Sequence, residues 1–162
     1  MSFIKRGNMV LLIAGEGGHY AQAKRLYIGT KEELQCPVLV LTDSLNKKIE
    51  KHVVHYELGD FRRKSGFSFF GFIAHLLKCF FIVLPLITRY KVNVISTGPG
   101  IAILPSIIVK FSGGSVVHIE TWSRFYSKSG AGRVMYYLAD KFYVQNVELL
   151  ELYPKAIYSG RL

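Results

Sequence analysis

The stretch that decides the fold is MVLLIAGEGGH, residues 9–19. Its first six residues are uninterruptedly apolar, which is typical of a β-strand buried on both faces of a parallel sheet. Three glycines then turn the chain, and residues 19–28 have the composition of a helix. A buried strand that passes through a glycine turn into a helix predicts the opening unit of a layered α/β fold.

The same alternation continues to the end of the chain. Further apolar runs predict strands at residues 37–42, 53–58, 92–96, 115–120 and 141–145, and helices at 43–51, 68–88, 101–111, 130–139 and 147–153. Alternating strands and helices predict a Rossmann-like parallel sheet with right-handed crossovers and helices on both faces. We find no repeat and no linker, so residues 1–162 are expected to form a single domain.

Composition narrows the classes of protein. Half of the residues are apolar and 20% are charged, which excludes a disordered chain. There are 21 Lys and Arg residues against 11 Asp and Glu, a net charge of +10, which favours nucleic acid or an anionic membrane as partner. The sequence has no helix-turn-helix, zinc-ligand or RNA-binding motif, so we expect no nucleic-acid partner. Cys36 and Cys79 lack metal or disulfide spacing, which indicates a reducing compartment.

Residues 68–88, SFFGFIAHLLKCFFIVLPLIT, form the most apolar stretch. As a helix it would be about 30 Å long, enough to cross a bilayer, but His75, Lys78 and Pro85 oppose insertion. Predicted strands of one sheet precede and follow it, so a span would divide the sheet between two sides of the membrane. A helix in the bilayer interface is therefore favoured. A helix buried under a partner subunit and a true span stay open as alternatives.

The interfacial interpretation predicts which side chains meet the membrane. Basic residues before the helix would contact anionic lipid, while aromatic residues of the helix would enter the interface. The predicted membrane residues are Arg62, Arg63, Lys64, Phe69, Phe70, Phe72 and Phe80.

Three loops are candidates for chemistry, because ligands of open parallel sheets bind beyond the carboxyl ends of the strands. The first is GEGGH, residues 15–19, and the second is STGPG, residues 96–100. Glycines let a ligand approach the backbone and helix starts offer N–H groups to anions, although simple tight turns have the same composition. The dinucleotide pattern GxGxxG would need glycine where Tyr20 stands, so NAD is not expected.

His19 and Glu120 are the candidate reactive side chains. A histidine beside a glycine turn can act as a general base near neutral pH, with a structural histidine as the alternative. The third loop is HIET, residues 118–121, where strand alternation places His118 and Glu120 on one face. Glu120 could bind a hydroxyl or share a proton with His19; the alternative is a solvated carboxylate at the end of a strand.

These loops in this order resemble one half of a GT-B glycosyltransferase. The similarity is greatest to the membrane-associated subunit of the split UDP-N-acetylglucosamine transferase of dolichol-linked oligosaccharide synthesis, and to its bacterial capsule and exopolysaccharide relatives. The most specific stretches are SGAGRVMYYLADKFYVQ, residues 129–145, and YPKAIYSGRL, residues 153–162. A fainter resemblance reaches the lipid II-forming N-acetylglucosaminyltransferase of cell-wall synthesis. The similarity extends from about Met9 to Leu162.

The resemblance implies the N-terminal, acceptor-binding half of a GT-B enzyme that is inactive without a separate donor-binding, C-terminal-like subunit. It implies transfer from a UDP-sugar to a polyprenyl-diphosphate-linked sugar, by a peripheral or monotopic protein at the cytoplasmic face of the cell membrane. The family's subunits from eukaryotes begin with a transmembrane anchor and this sequence has none before Met9, which indicates the bacterial branch. The donor stays open among N-acetylglucosamine, galactose and glucuronic acid. The alternative is a non-catalytic membrane anchor that recruits the catalytic partner.

By motif match, the general-base role falls on His19 and an acceptor contact on Glu120. The residues expected to bind substrate are Gly15, Gly17, Gly18, Thr97, Gly98 and Gly100. No Asp-x-Asp motif occurs, so we expect an inverting displacement without metal or cofactor. Residues 153–162 are expected to reach the partner.

Overall fold

The computed structural model describes residues 6–44, 48–58, 62–63, 66–67 and 69–162, without the side chains of residues 62, 63, 66, 67, 69 and 72. The elements in chain order are β1 Gly7–Ala14, α1 Gly18–Thr30, β2 Val38–Thr42, β3 Val54–Glu57, β4 Arg62–Arg63, β5 Gly66–Phe67, α2 Phe69–Arg89, β6 Tyr90–Ser96, a 3₁₀ turn Gly100–Ala102, α3 Ile103–Phe111, β7 Val116–Ile119, α4 Gly130–Leu138, β8 Lys141–Val144, α5 Leu149–Leu152 and β9 Ile157–Tyr158.

Seven strands form one sheet in the order β3-β2-β1-β6-β7-β8-β9, and every pairing in it is parallel. The Rossmann-like prediction is therefore confirmed. The chain builds outward from β1 to β3, and α2 then carries it back to the other side of β1. This reversal of direction lies between β1 and β6, where Ile13 pairs with Ser96. In such sheets the reversal opens a crevice at the carboxyl ends of the two strands.

Side chains alternate between two layers, as expected for strands covered on both faces. One face of the sheet packs against α2, α3 and α4 and contributes Leu11, Ile13, Val94, Val116 and Phe142 to the larger core. The other face of β1 and β2 packs against Ala23 and Tyr27 of α1. The helices are thus on both faces. Of the described helices that are longer than four residues, α2, α3 and α4 cover the first face and α1 alone covers the second.

The helix α2 packs one side against the core and exposes aromatic residues on the other. His75, Cys79 and Val83 are buried toward the sheet, whereas Phe70 is 85% and Phe81 79% exposed. His75, one of its few polar residues, therefore lies inside, and the outer surface is aromatic and aliphatic apart from Lys78. Among the helices that the structure describes, none combines the length and hydropathy required to traverse a bilayer.

The sequence predictions differ from the structure at residues 43–51, at the short antiparallel pair of β4 and β5, and at the edge strand β9. The expected helix at 43–51 is wrong for its described residues, which form a bend and a turn; residues 45–47 lie outside the description. Thr42 Oγ1 donates to the carbonyl oxygen of Ser44 at 3.0 Å and accepts from its N–H at 3.3 Å. Such local bonds compete with the start of a helix. The short edge strand β9 was not predicted, because two exposed residues carry no periodic signal.

His118 is a residue of β7 and is completely buried in the protein. Its ring centroid is 5.1 Å from that of Phe142, and neither ring nitrogen has a hydrogen-bond partner among the described residues. Burial, with a smaller contribution from nearby His19, lowers the pKa of His118 from 6.5 to about 3. The imidazole is therefore neutral in the folded protein throughout the physiological range.

This burial predicts a specific pH dependence of stability. Between about pH 6.5 and 3 the unfolded chain binds a proton at His118 that the folded protein does not, so the free energy of unfolding falls as the pH is lowered through this window. In His118→Leu this part of the slope should disappear, with stability at pH 7 maintained or raised because an unpaired polar group is removed. Urea unfolding of both proteins from pH 7.5 to 4 measures the difference; identical slopes would contradict the assignment.

Candidate functional site

The loops after β1, β2 and β6 meet at Gly15. A Cβ at this position would lie 2.6 Å from Pro99 Cγ and 3.0 Å from Asp43 Oδ2, so only glycine fits. Asp43 Oδ2 also accepts a hydrogen bond from the backbone N–H of Glu16 at 3.2 Å. Three strand ends therefore converge on one glycine turn, and this turn forms the floor of the crevice.

The turn leads directly into α1. Gly17 precedes the helix with a φ of 63°, in the left-handed region that favours glycine. No side chain within the described residues caps this end of α1. Its first backbone N–H groups therefore remain available to a ligand, together with the partial positive charge of the helix start.

His19 is held in one orientation by the loop after β6. Its Nδ1 lies 2.5 Å from the carbonyl oxygen of Thr97, and Thr97 Oγ1 donates to the carbonyl oxygen of His19 at 3.0 Å. A carbonyl oxygen only accepts, so Nδ1 carries the proton. In the neutral ring, Nε2 then carries the lone pair and can accept a proton.

Gly98 is the surface on which the His19 ring rests. Its φ is 93°, and a Cβ there would lie 2.4 Å from His19 Cε1. Glycine is therefore required both by the backbone conformation and by the closeness of the ring. By contrast Gly100, which begins the 3₁₀ turn, would find open space around a Cβ.

Glu120 is placed differently from His19. It is only 2% exposed, so the alternative of a solvated carboxylate is wrong. Its Oε1 accepts from the N–H of Thr121 at 3.0 Å, and its Oε2 accepts from Ser129 Oγ at 2.9 Å and Tyr153 Oη at 3.1 Å. A Cβ on Gly132 would lie 1.8 Å from Oε2, so α4 packs tightly on the carboxylate. The Nδ1 of His19 is hydrogen-bonded to the Thr97 carbonyl oxygen, so this nitrogen does not share a proton with Glu120.

The structure thus brings Gly15, Gly17, Gly18, His19, Thr97 and Gly98 together at the mouth of the crevice. Glu120 lies beneath the loop between β7 and α4. The membrane residues that can be compared are Phe70 and Phe80, which are exposed on α2. Lys64 and the side chains of Arg62, Arg63, Phe69 and Phe72 lie outside the described part of the chain.

Two residues at this mouth were missed by the sequence interpretation of the site. Asp43 is not among the predicted site residues, yet its carboxylate supports the glycine turn. Trp122 follows the third loop, and its Nε1 lies 3.6 Å from the point where a Cβ of Gly18 would stand. The signal was available, because Trp122 is the single tryptophan of the chain and directly follows the quoted HIET motif.

The C-terminal segment returns to the sheet. The N–H of Leu162 donates to Gln145 Oε1 at 3.0 Å, and Arg161 Nε donates to Asn146 Oδ1 at 2.9 Å. Between this segment and the sheet lies a cavity of about 290 Å³ whose apolar wall includes Ile95 and Val117. The expectation that residues 153–162 reach a partner stays a prediction.

The geometry of His19 yields a test of its own. In Gly98→Ala the new methyl group would occupy the place of the His19 ring, and the left-handed backbone adds a strain of roughly 1–2 kcal/mol. We expect the Nδ1–H signature of His19, read by long-range ¹H–¹⁵N NMR at pH 8.5, to be lost in this variant. Gly100→Ala is the matched control and should retain it. Retention in Gly98→Ala would show that the position of the His19 ring does not depend on the space left by Gly98.

Comparison with known proteins shows which proteins the chain is related to. Residues 10–162 match the family described as oligosaccharide biosynthesis protein Alg14 like. The UDP-N-acetylglucosamine transferase subunit ALG14 of Rattus norvegicus is 27% identical over 94% of this chain and 82% of its own length. The subunit of the same name from Kluyveromyces lactis is 26% identical over 96% of this chain and 79% of its own length.

Solved structures agree on the fold. MurG of Acinetobacter baumannii superposes with a TM-score of 0.65 at 14% identity, over 96% of this chain and 44% of its own length. A UDP-N-acetylglucosamine 2-epimerase gives the same TM-score at 13% identity, over 96% of this chain and 49% of that one. The chain thus spans a little under half the length of these proteins. At 14% and 13% identity these matches show the fold alone, and a fold does not select a reaction. The sequence match over residues 10–162 establishes that the chain belongs to the Alg14-like family of oligosaccharide biosynthesis proteins.

Proposed function

We propose that this chain is the acceptor-binding subunit of a two-component, inverting glycosyltransferase. In this proposal the complex transfers a sugar from a UDP-sugar to a polyprenyl-diphosphate-linked sugar. The names of the relatives, which are UDP-N-acetylglucosamine transferase subunits, favour N-acetylglucosamine over galactose or glucuronic acid as the donor sugar.

The observation that carries the proposal is the orientation of His19. The Thr97 carbonyl holds the proton on Nδ1, which leaves Nε2 as the acceptor of a proton at the mouth of the crevice. In the reaction the acceptor hydroxyl gives its proton to Nε2 while its oxygen forms a bond to the anomeric carbon. The bond from that carbon to UDP breaks, and UDP leaves with the electron pair. The resulting imidazolium is stabilised by the Thr97 carbonyl oxygen, as a general base requires.

The glycine turn supports a phosphate-binding role beside this base. Gly17 and Gly18 expose backbone at the uncapped start of α1, where N–H groups and the helix dipole favour negative charge. The loop after β6 holds that turn in place. Thr97 donates to the His19 carbonyl oxygen, Gly98 lies against the His19 ring, and Gly15 leaves room for Pro99. The Gly100 backbone, which begins the 3₁₀ turn after this loop, is proposed as a further substrate contact.

The names of the relatives, which are transferase subunits, support a second subunit. The fold supplies one Rossmann-like lobe, whereas GT-B chemistry takes place in a cleft between two. The chain matches 44% of the length of MurG, which is consistent with one such lobe. We therefore propose that a donor-binding partner faces the carboxyl edge of the sheet, with residues 153–162 contributing to the contact.

Glu120 is proposed to act by positioning. Its buried carboxylate joins the two ends of the loop before α4, because Oε1 accepts from the N–H of Thr121 and Oε2 accepts from Ser129. Tyr153 also donates to Oε2 and links the carboxylate to the C-terminal segment. The loop so held forms one wall of the mouth. Removal of the charge should therefore affect use of the acceptor more than use of the donor.

Membrane contact is proposed for the outer surface of α2. The exposed Phe70, Leu77 and Phe81 form an apolar surface next to the exposed Lys78, and Arg89 lies at the end of the helix. Amphipathic surfaces of this kind enter the headgroup region, and basic residues add attraction to anionic lipid. This arrangement would place the acceptor-binding subunit at the cytoplasmic face of the membrane, where a lipid-linked acceptor is found.

The catalytic proposal predicts the behaviour of His19→Ala. In the assembled complex we expect turnover to fall by about 10²–10⁴-fold, the usual effect of losing a general base, with little change in donor affinity. The measurement is the pH–rate profile at saturating donor, whose acidic limb should vanish in the variant. Glu120→Gln should raise the KM of the acceptor more than that of the donor. The purified chain alone should be inactive.

Three outcomes would decide against parts of this scheme. Full transferase activity of the single chain would remove the need for a partner. Near-normal turnover with an unchanged acidic limb in His19→Ala would place the base elsewhere. Normal turnover of both variants in an intact complex would favour the alternative function of a non-catalytic anchor.

The membrane proposal predicts that the chain sediments with anionic liposomes and is partly released by high salt, which screens charge but leaves apolar burial. The double variant Phe70→Ser/Phe81→Ser should bind at least about tenfold more weakly, since each phenylalanine contributes roughly 1.5–3 kcal/mol when buried. The matched control is Ile28→Ser, because Ile28 is an exposed residue of α1 on the opposite face of the sheet. Equal loss in the control would remove α2 as the membrane surface, and binding that withstands both salt and carbonate would favour a span.

A further inference from the structure

Trp122 stands at the entrance of the crevice without a role in the scheme above. Its ring is partly exposed, and its Nε1 lies 3.6 Å from the place of a Gly18 Cβ, beside the uncapped start of α1. Within the described part of the chain its hydrogen bonding involves the backbone alone, with Asn146 Nδ2 donating to its carbonyl oxygen at 2.8 Å. The indole N–H therefore faces the mouth as an unused donor.

Arg25 contacts the Trp122 ring, and Asn146 holds its backbone. The guanidinium carbon of Arg25 lies 5.0 Å from the ring centroid, within the range of a cation–π contact. Arg25 is itself anchored, because its Nη1 donates to the carbonyl oxygen of Leu162 at 3.0 Å. Asn146 fixes the backbone of the same loop and is bound in turn by Arg161. An indole held in this way is ordered before a ligand arrives, which lowers the entropy lost on binding.

The hydrogen-bonding groups at the mouth indicate which kind of ligand atom the Trp122 N–H binds. An indole N–H can only donate, and the first backbone groups of α1 are also donors. The donors on Trp122 and at the start of α1 match the oxygens of a phosphate group, whereas the acceptor Nε2 of His19 is left for the sugar hydroxyl. We propose that Trp122 donates a hydrogen bond from Nε1 to a phosphate oxygen of the diphosphate in the lipid-linked acceptor. This inference rests on the proposed acceptor-binding function.

The single tryptophan allows the contact to be tested without turnover. The full chain is titrated with a short-chain polyprenyl-diphosphate-linked N-acetylglucosamine while its intrinsic fluorescence is recorded. The expected result is a saturable change in emission with this acceptor and a much weaker change with UDP-N-acetylglucosamine at the same concentration. A larger change with the nucleotide sugar would assign the contact to the donor and overturn the proposal. Acceptor binding by calorimetry without any change in emission would also overturn it.

Kinetics of the assembled complex provide the second measurement. Trp122→Phe retains a ring for Arg25 but loses the N–H, and a hydrogen bond to a charged group corresponds to roughly a 10–100-fold effect. The KM of the acceptor should rise by that factor, with kcat and the KM of the donor within about twofold of wild type. The neighbouring Tyr126→Phe, on the same loop and 81% exposed, is the control and should change neither.

The two proposals fail in different ways. A wild-type complex without transferase activity would remove the proposed function, and the emission titration would still show whether a diphosphate ligand meets Trp122. An active wild-type complex whose acceptor KM is unchanged in Trp122→Phe would overturn the role of Trp122 alone.

Discussion

The pairing of β1 with β6 is the constraint on which the site depends. The two strands run side by side from Gly7 opposite Tyr90 to Ile13 opposite Ser96, so their following loops leave the sheet together. Both loops are glycine-rich, and each needs glycine where the other approaches it. The reciprocal bonds between His19 and Thr97 close this junction. A shift of one residue in the register of β6 would separate them and turn its core residues to the other face.

A second network joins the rest of the mouth to the end of the chain. The buried carboxylate of Glu120 binds both ends of the loop before α4 and also Tyr153, while Gln145 Nε2 donates to the Glu120 carbonyl oxygen at 2.9 Å. Burial and the neighbouring Glu120 raise the pKa of the Tyr153 hydroxyl above its usual value, so it stays a donor. The wall of the mouth and the C-terminal segment are therefore parts of one hydrogen-bonded unit.

The fold could be predicted from the sequence because buried parallel strands are continuous apolar runs, and glycine turns mark where each ends. The junction of Gly15, His19 and Gly98 could be anticipated for the same reason, since parallel topology brings these strand ends to one edge. The details could not. Whether a carboxylate such as Glu120 is solvated or buried depends on how α4 packs, and Gly132 gave no local sign of that contact. Trp122 and Asp43 gain their positions only from tertiary contacts.

The orientation of α2 has a consequence for how substrate is found. The crevice opens at an edge of the sheet, whereas the aromatic surface of α2 lies on one of its faces. If that face rests on the bilayer as proposed, the opening points along the plane of the membrane and not away from it. A lipid-linked sugar would then arrive by lateral diffusion within the leaflet. The search is two-dimensional, and the encounter rate depends on the surface density of the acceptor and not on its concentration in the cytoplasm.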